Sequence, residues 1–410
     1  MSNLAVNLAL GLTEKSGVSR LTLTDFRNYA HLRINANLAP VIITGENGTG
    51  KTNILEAISF LTPGRGMRGA RLADIKRITP ALVTDEYSPT EIAAVNWAVS
   101  ATVVKNNDET EIGTAVEKSA REEEDDIRSF DRRIVKINGQ KTTSQSELGK
   151  YISAIWLTPQ MDRLFRGGSQ PRRSFLDRLV YAFDVEHAKR TANFEHLYKE
   201  WYQLLKNNGA TGGRIDHGWL DSLEENMAGL GVAIAAARRE LIARLNTFIE
   251  HEPDDVFPNV MLELDGSIEK LLDSMPAIDV EDHYRQKLCS QRRNVLYNDY
   301  VDGVNRTDFK VYYRRKHMPA ELCSTGEQKS LLISIILAQT KCQTLDKGFS
   351  PVLLLDEVVA HLDDIKREAL LEKIHELGIQ AWITSTDAGL FKSLANDAQF
   401  LTVKNNAVFG

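Results

Sequence analysis

Gly45-Glu46-Asn47-Gly48-Thr49-Gly50-Lys51-Thr52 is the stretch that decides the fold. It matches GxxxxGK[ST], the spacing of a phosphate-binding loop. The apolar run VIIT (41–44) leads into it, and NILEAISFL (53–61) follows as an amphipathic helix that PGRG (63–66) stops. A strand, a glycine-rich turn and a helix start aim backbone N–H groups at phosphate oxygens, and the helix N-terminus adds partial positive charge. In this frame all eight residues are candidate ATP contacts. Lys51 is expected to reach the β- and γ-phosphates, and Thr52 to offer a hydroxyl to Mg²⁺. Just upstream, RLTLTDFRNYAHLRIN (20–35) alternates on both sides of FRNY and predicts a hairpin. Arg27 and Asn28, in its turn, are counted as further nucleotide contacts.

The second element is Val352-Leu353-Leu354-Leu355-Asp356-Glu357. Four apolar residues predict a buried strand that delivers two carboxylates at its C-terminal end, beside the phosphates. Asp356 is expected to hold Mg²⁺ and Glu357 to polarise the attacking water. The third element, Ser324-Thr325-Gly326-Glu327-Gln328-Lys329, opens a helix, where Ser324, Gly326 and Glu327 can present a hydroxyl and free N–H groups to an anion. Taken alone, that segment reads equally as an ordinary helix cap.

In this order the three elements resemble an ABC-type ATPase, in which the signature helix of one head meets the γ-phosphate held by another. The resemblance makes Gln160, in WLTPQMDRLF, a Q-loop glutamine, catalytic and metal-contacting, and makes Asp363 the D-loop aspartate. Thr386 stands where a switch histidine is usual.

Composition sets outer limits. The chain has 410 residues, 42% of them hydrophobic and 26% charged, as an ordinary folded protein does. No apolar run approaches the ~20 residues of a membrane span, and no signal peptide is read at the start. Three cysteines, Cys289, Cys323 and Cys342, show no paired spacing, which fits a reducing cytoplasm. The net charge of −6 excludes a globally basic nucleic-acid binder but not a local basic surface.

The expected architecture is an α/β head interrupted by a helical lobe: residues 1–173, a lobe over 174–305, and 306–410. Residues 92–104 predict a strand, the acidic EKSAREEEDD (117–126) a solvated loop, and Asn138-Gly139 a hairpin turn. In the lobe, Leu220, Leu223, Met227, Leu230, Ile234, Ala237, Leu241 and Phe248 form a 3-4 repeat with Arg244 spoiling the last inner position. NNGATGG (207–213) precedes it as a breaker. The pattern reads as two long helices forming an antiparallel arm, with a plain core helix as the alternative.

LTLTDFRNYAHL, GENGTGKTNILEAI, TPQMDRLFRGGSQPRRSFLDRLV, STGEQKSLLISIILAQ and LLLDEVVAHLDD together resemble the RecF family of bacterial DNA replication and repair proteins. The segments span nearly the whole chain. The resemblance implies a cytoplasmic, nucleoid-associated ATPase that forms a homodimer on ATP. It implies binding to single-stranded DNA and to single/double-strand junctions at gaps, help in loading recombinase with RecR and RecO, and support of the SOS response. Where relatives carry a GPHR-like stretch, this chain reads DGVNRTD (302–308).

Four basic clusters are candidate DNA contacts: Arg128, Arg132, Arg133, Lys136 and Lys141; Arg163, Arg166, Arg172, Arg173 and Arg178; Arg285, Lys287, Arg292 and Arg293; and Arg306, Lys310, Arg314, Arg315 and Lys316. Each also reads as a solvated face. Rival readings are a transporter ATPase subunit, which needs no lobe between Gln160 and Ser324, and an SMC-type linker, whose long coiled coils are missing. A nuclease-fused ATPase is a third, for which no space is expected after Asp387.

Overall fold

The alternating residues around FRNY form strands Gly17–Phe26 and Tyr29–Asn35, paired antiparallel with Leu23 opposite Leu32. The computed structural model describes residues 15–80, 91–93, 96–123, 126–211, 216–253, 255–297 and 301–410. The hairpin belongs to a six-stranded antiparallel sheet that continues through Ala98–Lys105, Asp108–Glu123, Asp126–Ile137 and Gln140–Lys141. Every second residue faces inward: Leu21, Leu23, Val99, Ile112 and Val135 are buried. Asn138 and Gly139 take φ of 49° and 79°, the left-handed pair of a tight hairpin turn. Two expectations fail here. The acidic stretch is strand, with pairing carried to Glu123 and Asp126, because its register sets Glu117 opposite Arg132 and Lys118 opposite Asp131. The strand expected at 92–104 begins only at Ala98, and Glu91–Ala93 pairs separately with Ile78–Pro80.

A second six-stranded sheet runs in the order Ala154–Leu157, Val352–Asp356, Ala381–Ser385, Val41–Thr44, Gln399–Lys404, Ala407–Phe409. Its first five strands are parallel. Val352–Asp356 and Ala381–Ser385 are buried along their length, as continuous apolar runs in a covered parallel sheet should be. The helix Lys51–Ser59 places Ile54, Leu55 and Ile58 in one core with Leu21 and Leu23 of the first sheet and Leu354 and Trp382 of the second. Gln380 ties the sheets. Its amide oxygen accepts from Val18 N–H at 2.8 Å, and its amide nitrogen donates to Val18 and Asn37 carbonyls at 2.9 and 2.7 Å.

These elements make one compact unit, residues 1–161 with 340–410; Asp162–Gln339 make the other. The second unit reaches beyond the expected 174–305 and is not all helix. It holds helices Ser169–Tyr181, His187–Thr211, His217–Glu250 and Ala277–Tyr297, and a sheet of Val260–Asp265, Asp308–Tyr313 and Met318–Pro319. Its extra boundaries have a physical cause. Arg172 grips Asp308 with two bonds of 2.8 and 2.9 Å, and the strand containing Asp308 pairs along Val260–Asp265.

The expected heptad gives way to a broader 3.6-residue face. Leu220, Leu223, Met227, Ile234 and Leu241 are buried, but Leu230, Ala237 and Phe248 are only half-buried, and the stripe shifts to Leu245 and Ile249. Two long helices, His187–Thr211 and His217–Glu250, do share one core as expected, Trp201 and Leu205 with Leu220 and Leu223, but Tyr284 and Leu288 of Ala277–Tyr297 join it, so the pair is part of a lobe core rather than a two-helix arm. The inner polar residue is Arg238, which donates twice to Asp177 at 2.8 Å, rather than Arg244, which pairs with Glu240. The helix before it runs on to Thr211 through the expected breaker, whose last part lies outside the described residues.

Candidate nucleotide site

The loop at 45–52 turns as its glycines require. Gly50 has φ +102°, and a Cβ there would stand 2.3 Å from Asn28 Nδ2 and 2.8 Å from the Tyr29 hydroxyl. Asn28 is the brace: its Nδ2 donates to the Thr49 carbonyl at 3.2 Å and to Asn406 Oδ1 at 2.7 Å, while Asn53 Nδ2 donates to its Oδ1 at 2.7 Å. Lys51 is buried, and its ammonium donates to the carbonyls of Gly45 and Glu46 at 2.7 and 2.8 Å. Burial pushes that ammonium below its ordinary pKa, while the carboxylates of Glu357 and Asp356 pull it back up.

Folding joins residues 304 positions apart: Thr52 Oγ1 donates to Asp356 Oδ1 at 2.7 Å. A third group, missed by sequence reasoning, completes this contact. Thr384 Oγ1 donates to the same carboxylate oxygen at 2.9 Å and accepts the Glu357 N–H at 2.9 Å. The signal available was Thr384's place at the end of AWIT, whose strand pairs Thr384 with Asp356. Glu357 itself takes φ +54°, a conformation a non-glycine residue holds only when its surroundings enforce it.

Arg27 sits behind the loop. Its Nε and Nη2 donate to the fully buried Glu56 at 2.8 and 2.6 Å, and its Nη1 to the Asp74 carbonyl at 2.7 Å. Arg68 binds the same Glu56 at 3.1 Å. Two of Arg27's guanidinium nitrogens thus anchor the helix Lys51–Ser59, and the third holds the turn at Asp74. At the other end of that helix lies Arg133, 8% exposed. It donates to the carbonyls of Phe60, Thr62 and Gly64, to Gln145, and to Thr114 Oγ1. A cation on the last carbonyls of a helix complements its dipole.

Other expected residues are placed as follows. Gln160 is exposed and lies just past Ala154–Leu157, the strand paired with Val352–Asp356. Thr386 is exposed just past Ala381–Ser385. Asp363 caps Asp364–Glu376, its side chain accepting from Lys366 N–H at 2.9 Å. Ser324, Gly326 and Glu327 belong to the other unit, at the start of Thr325–Lys347. There Ser324 N–H and Oγ both donate to Glu327 Oε2 at 2.8 Å, a reciprocal capping box. The bond from Lys316, with help from Ser324, holds the Glu327 carboxyl down to about 2.

The basic clusters are largely consumed by the fold. Arg172 is paired with Asp308, Arg292 with Glu224 and Asp221, Lys287 with Asp302, Lys310 with Asp308, Arg314 with Glu250 and Lys316 with Glu327. Arg173 donates to the Thr307 carbonyl at 2.8 Å. The side chain of Arg128 lies outside those described. Among the described residues, no group of three or more His, Cys, Asp or Glu side chains forms a metal site, and no helix is long and apolar enough to cross a membrane.

A phosphate loop on a central parallel strand, with a carboxylate pair on a nearby strand end, defines an ATPase head. The family pattern described as RecF/RecN/SMC N terminal domain matches residues 17–408. Proteins named DNA replication and repair protein RecF are similar over almost their whole length. The one from Rhizobium etli is 41% identical over 97% of this chain and 100% of its own, and that from Mesorhizobium japonicum 42% over 95% and 97%. This chain belongs to the RecF family of DNA replication and repair proteins. The fold agrees. A solved structure of the recombination mediator protein RecF with ATPrS superposes with TM-score 0.76 at 19% identity, covering 97% of this chain and 98% of that one. An SMC head bound to the winged-helix domain of ScpA gives 0.52 at 15% identity, covering 95% of each.

Proposed function

We propose that this protein is a DNA-coupled ATPase of recombinational repair, in which ATP joins two copies on DNA and slow, DNA-stimulated hydrolysis releases them. The observation that carries the reading is the convergence of Thr52 and Thr384 on one oxygen of Asp356, with Thr384 also accepting the Glu357 N–H, beside the glycine-braced loop. The residues fit ATP: loop N–H groups and Lys51 hold phosphate, and Glu357 orients water. They also fit Mg²⁺. Thr52 and Asp356 supply only two protein oxygens, so the remaining positions fall to phosphate and water, as this cation prefers. When bound, Mg²⁺ neutralises phosphate charge. Ser324 and Gly326 serve the nucleotide of the partner copy.

The relatives' name supports DNA as the substrate, and the RecFOR pathway name of the solved RecF structures supports RecR- and RecO-type partners. Gapped DNA as the preferred substrate, with recombinase loading and SOS support as the outcome, completes the proposal. The test is ATP turnover without DNA and with single-stranded, duplex and gapped DNA. The highest rate is expected on gapped duplex. A rate indifferent to all three would overturn the DNA-coupled reading.

A further inference from the structure

Although many residues of the sequence-local clusters are held by ion pairs or hydrogen bonds within the fold, strand register assembles a basic surface that no stretch of sequence displays. Across five strands of the antiparallel sheet, Arg33 lies opposite Thr22, Thr22 opposite Ser100, Ser100 opposite Gly113, and Gly113 opposite Lys136. This row faces away from the core, since its neighbours Leu23, Leu32, Val99 and Val135 are the buried ones. Arg33, Ser100 and Lys136 are exposed, and Arg20 lies half-buried two residues before Thr22. Among the described residues, Arg20, Arg33 and Lys136 make no ion pair. A groove of about 240 Å³ runs over this face, lined by Arg20, Thr22, Ser100, Gly113 and Lys136, with Glu111 the one acid on its wall and Arg33 one strand beyond it.

We infer that this trough seats the backbone of duplex DNA. The inference rests on the DNA-binding reading above and gives it a location. Four inter-strand steps set Arg33 and Lys136 about 19 Å apart at their Cα atoms, a span their long side chains can close toward the ~12 Å of a B-DNA major groove. Each rail then meets one sugar–phosphate strand. Hydroxyls and a glycine between the rails keep the floor low, so the duplex reaches both. None of the described outward residues of the row is aromatic, so the surface lacks the stacking platform that single strands need. Cations outside ion pairs are those that release counterions when phosphate arrives, although Lys136 also feels the exposed carboxylate of Glu117.

The test is duplex affinity of the full chain with ATP across a salt series, for the parent, Arg33→Ala/Lys136→Ala and Gly113→Glu. A Cβ at Gly113 would meet nothing nearer than 3.8 Å, so that variant tests the floor without straining the fold. ATP binding and thermal midpoint serve as folding controls. The double variant is expected to flatten the slope of log affinity against log salt by about 1.8, two phosphate contacts at ~0.9 each. Gly113→Glu is expected to weaken binding at least tenfold. Slopes unchanged in both variants, or a loss confined to single-stranded DNA, overturn the inference. If the trough instead seats an acidic polypeptide, the duplex slope stays untouched, which is the same overturning result. A parent protein that binds no DNA at all overturns the proposed function as well, so the two failures are distinguishable.

Discussion

At the scale of single residues, the proposed site divides labour between Lys51, assigned to phosphate, and Glu357, assigned to the attacking water. Lys51→Ala is expected to weaken ATP binding. Glu357→Gln is expected to bind normally but hydrolyse about 10²-fold more slowly, the usual scale for losing a general base. Equilibrium nucleotide binding alongside single-turnover hydrolysis separates the two, and equal loss of binding would reject the division. Thr384 acts one step back, through Asp356 and the Glu357 N–H. Thr384→Val should slow hydrolysis about tenfold and raise the Mg²⁺ concentration for half-maximal rate, as loss of a supporting hydrogen bond does. A variant with unaltered Mg²⁺ dependence would remove Thr384 from the site.

At the scale of elements, the helices Lys51–Ser59 and Thr325–Lys347 are held at one end each by very different means. The helix Lys51–Ser59 is clamped at its far end by the buried Arg133. Arg133→Ala leaves several carbonyls unpaired and is expected to destabilise the head by about 3 kcal/mol, read from denaturant unfolding. Neighbouring Arg132 is exposed, so its substitution should leave stability unchanged. The helix Thr325–Lys347 is capped by Glu327, whose depressed pKa gives the sign of its pH dependence. The cap contributes fully above the ordinary carboxyl value of 4.5 and is lost as pH falls toward about 2. Lys316→Ala should move the Glu327 midpoint back up toward 4.5, measured by carboxyl carbon NMR. A midpoint that stays put would deny Lys316 its part.

The whole molecule shows what its sequence could and could not disclose. The phosphate loop, the hairpin, the apolar strand ending in Asp356-Glu357 and the helix after Ser324 were legible because each is local: a spacing, an alternation or a cap. The clusters of arginine and lysine were not. Whether a cation is free depends on acids brought near by folding, as Asp308 is to Arg172 across 136 positions. Thr384 escaped for the same reason. Assembly also belongs to this scale. Lys51→Met and Ser324→Arg proteins are each expected to lose ATP-dependent dimerisation. An equal mixture should regain part of the parental rate, because one heterodimer site joins an intact Lys51 to an intact Ser324. ATPase rate and mass against mixing ratio measure it, and two folded variants that fail to complement would refute a shared site.

The strand Val41–Thr44, which delivers the phosphate loop, lies between two strands made near the other end of the chain. Thr44 donates to the Leu401 carbonyl across 357 residues. At about 5–20 residues per second, a ribosome places those partners roughly 20 to 70 s apart. During that interval the emerging loop has no sheet to stand on, and its apolar strand presents bare edges. The Asp162–Gln339 unit, a single uninterrupted segment, can fold in the meantime. Nascent heads are therefore incapable of holding nucleotide until the last strands are released, and the long-range pairing makes this late step the slow one. No turn of the cycle can precede the emergence of Ala381–Ser385 and Gln399–Lys404.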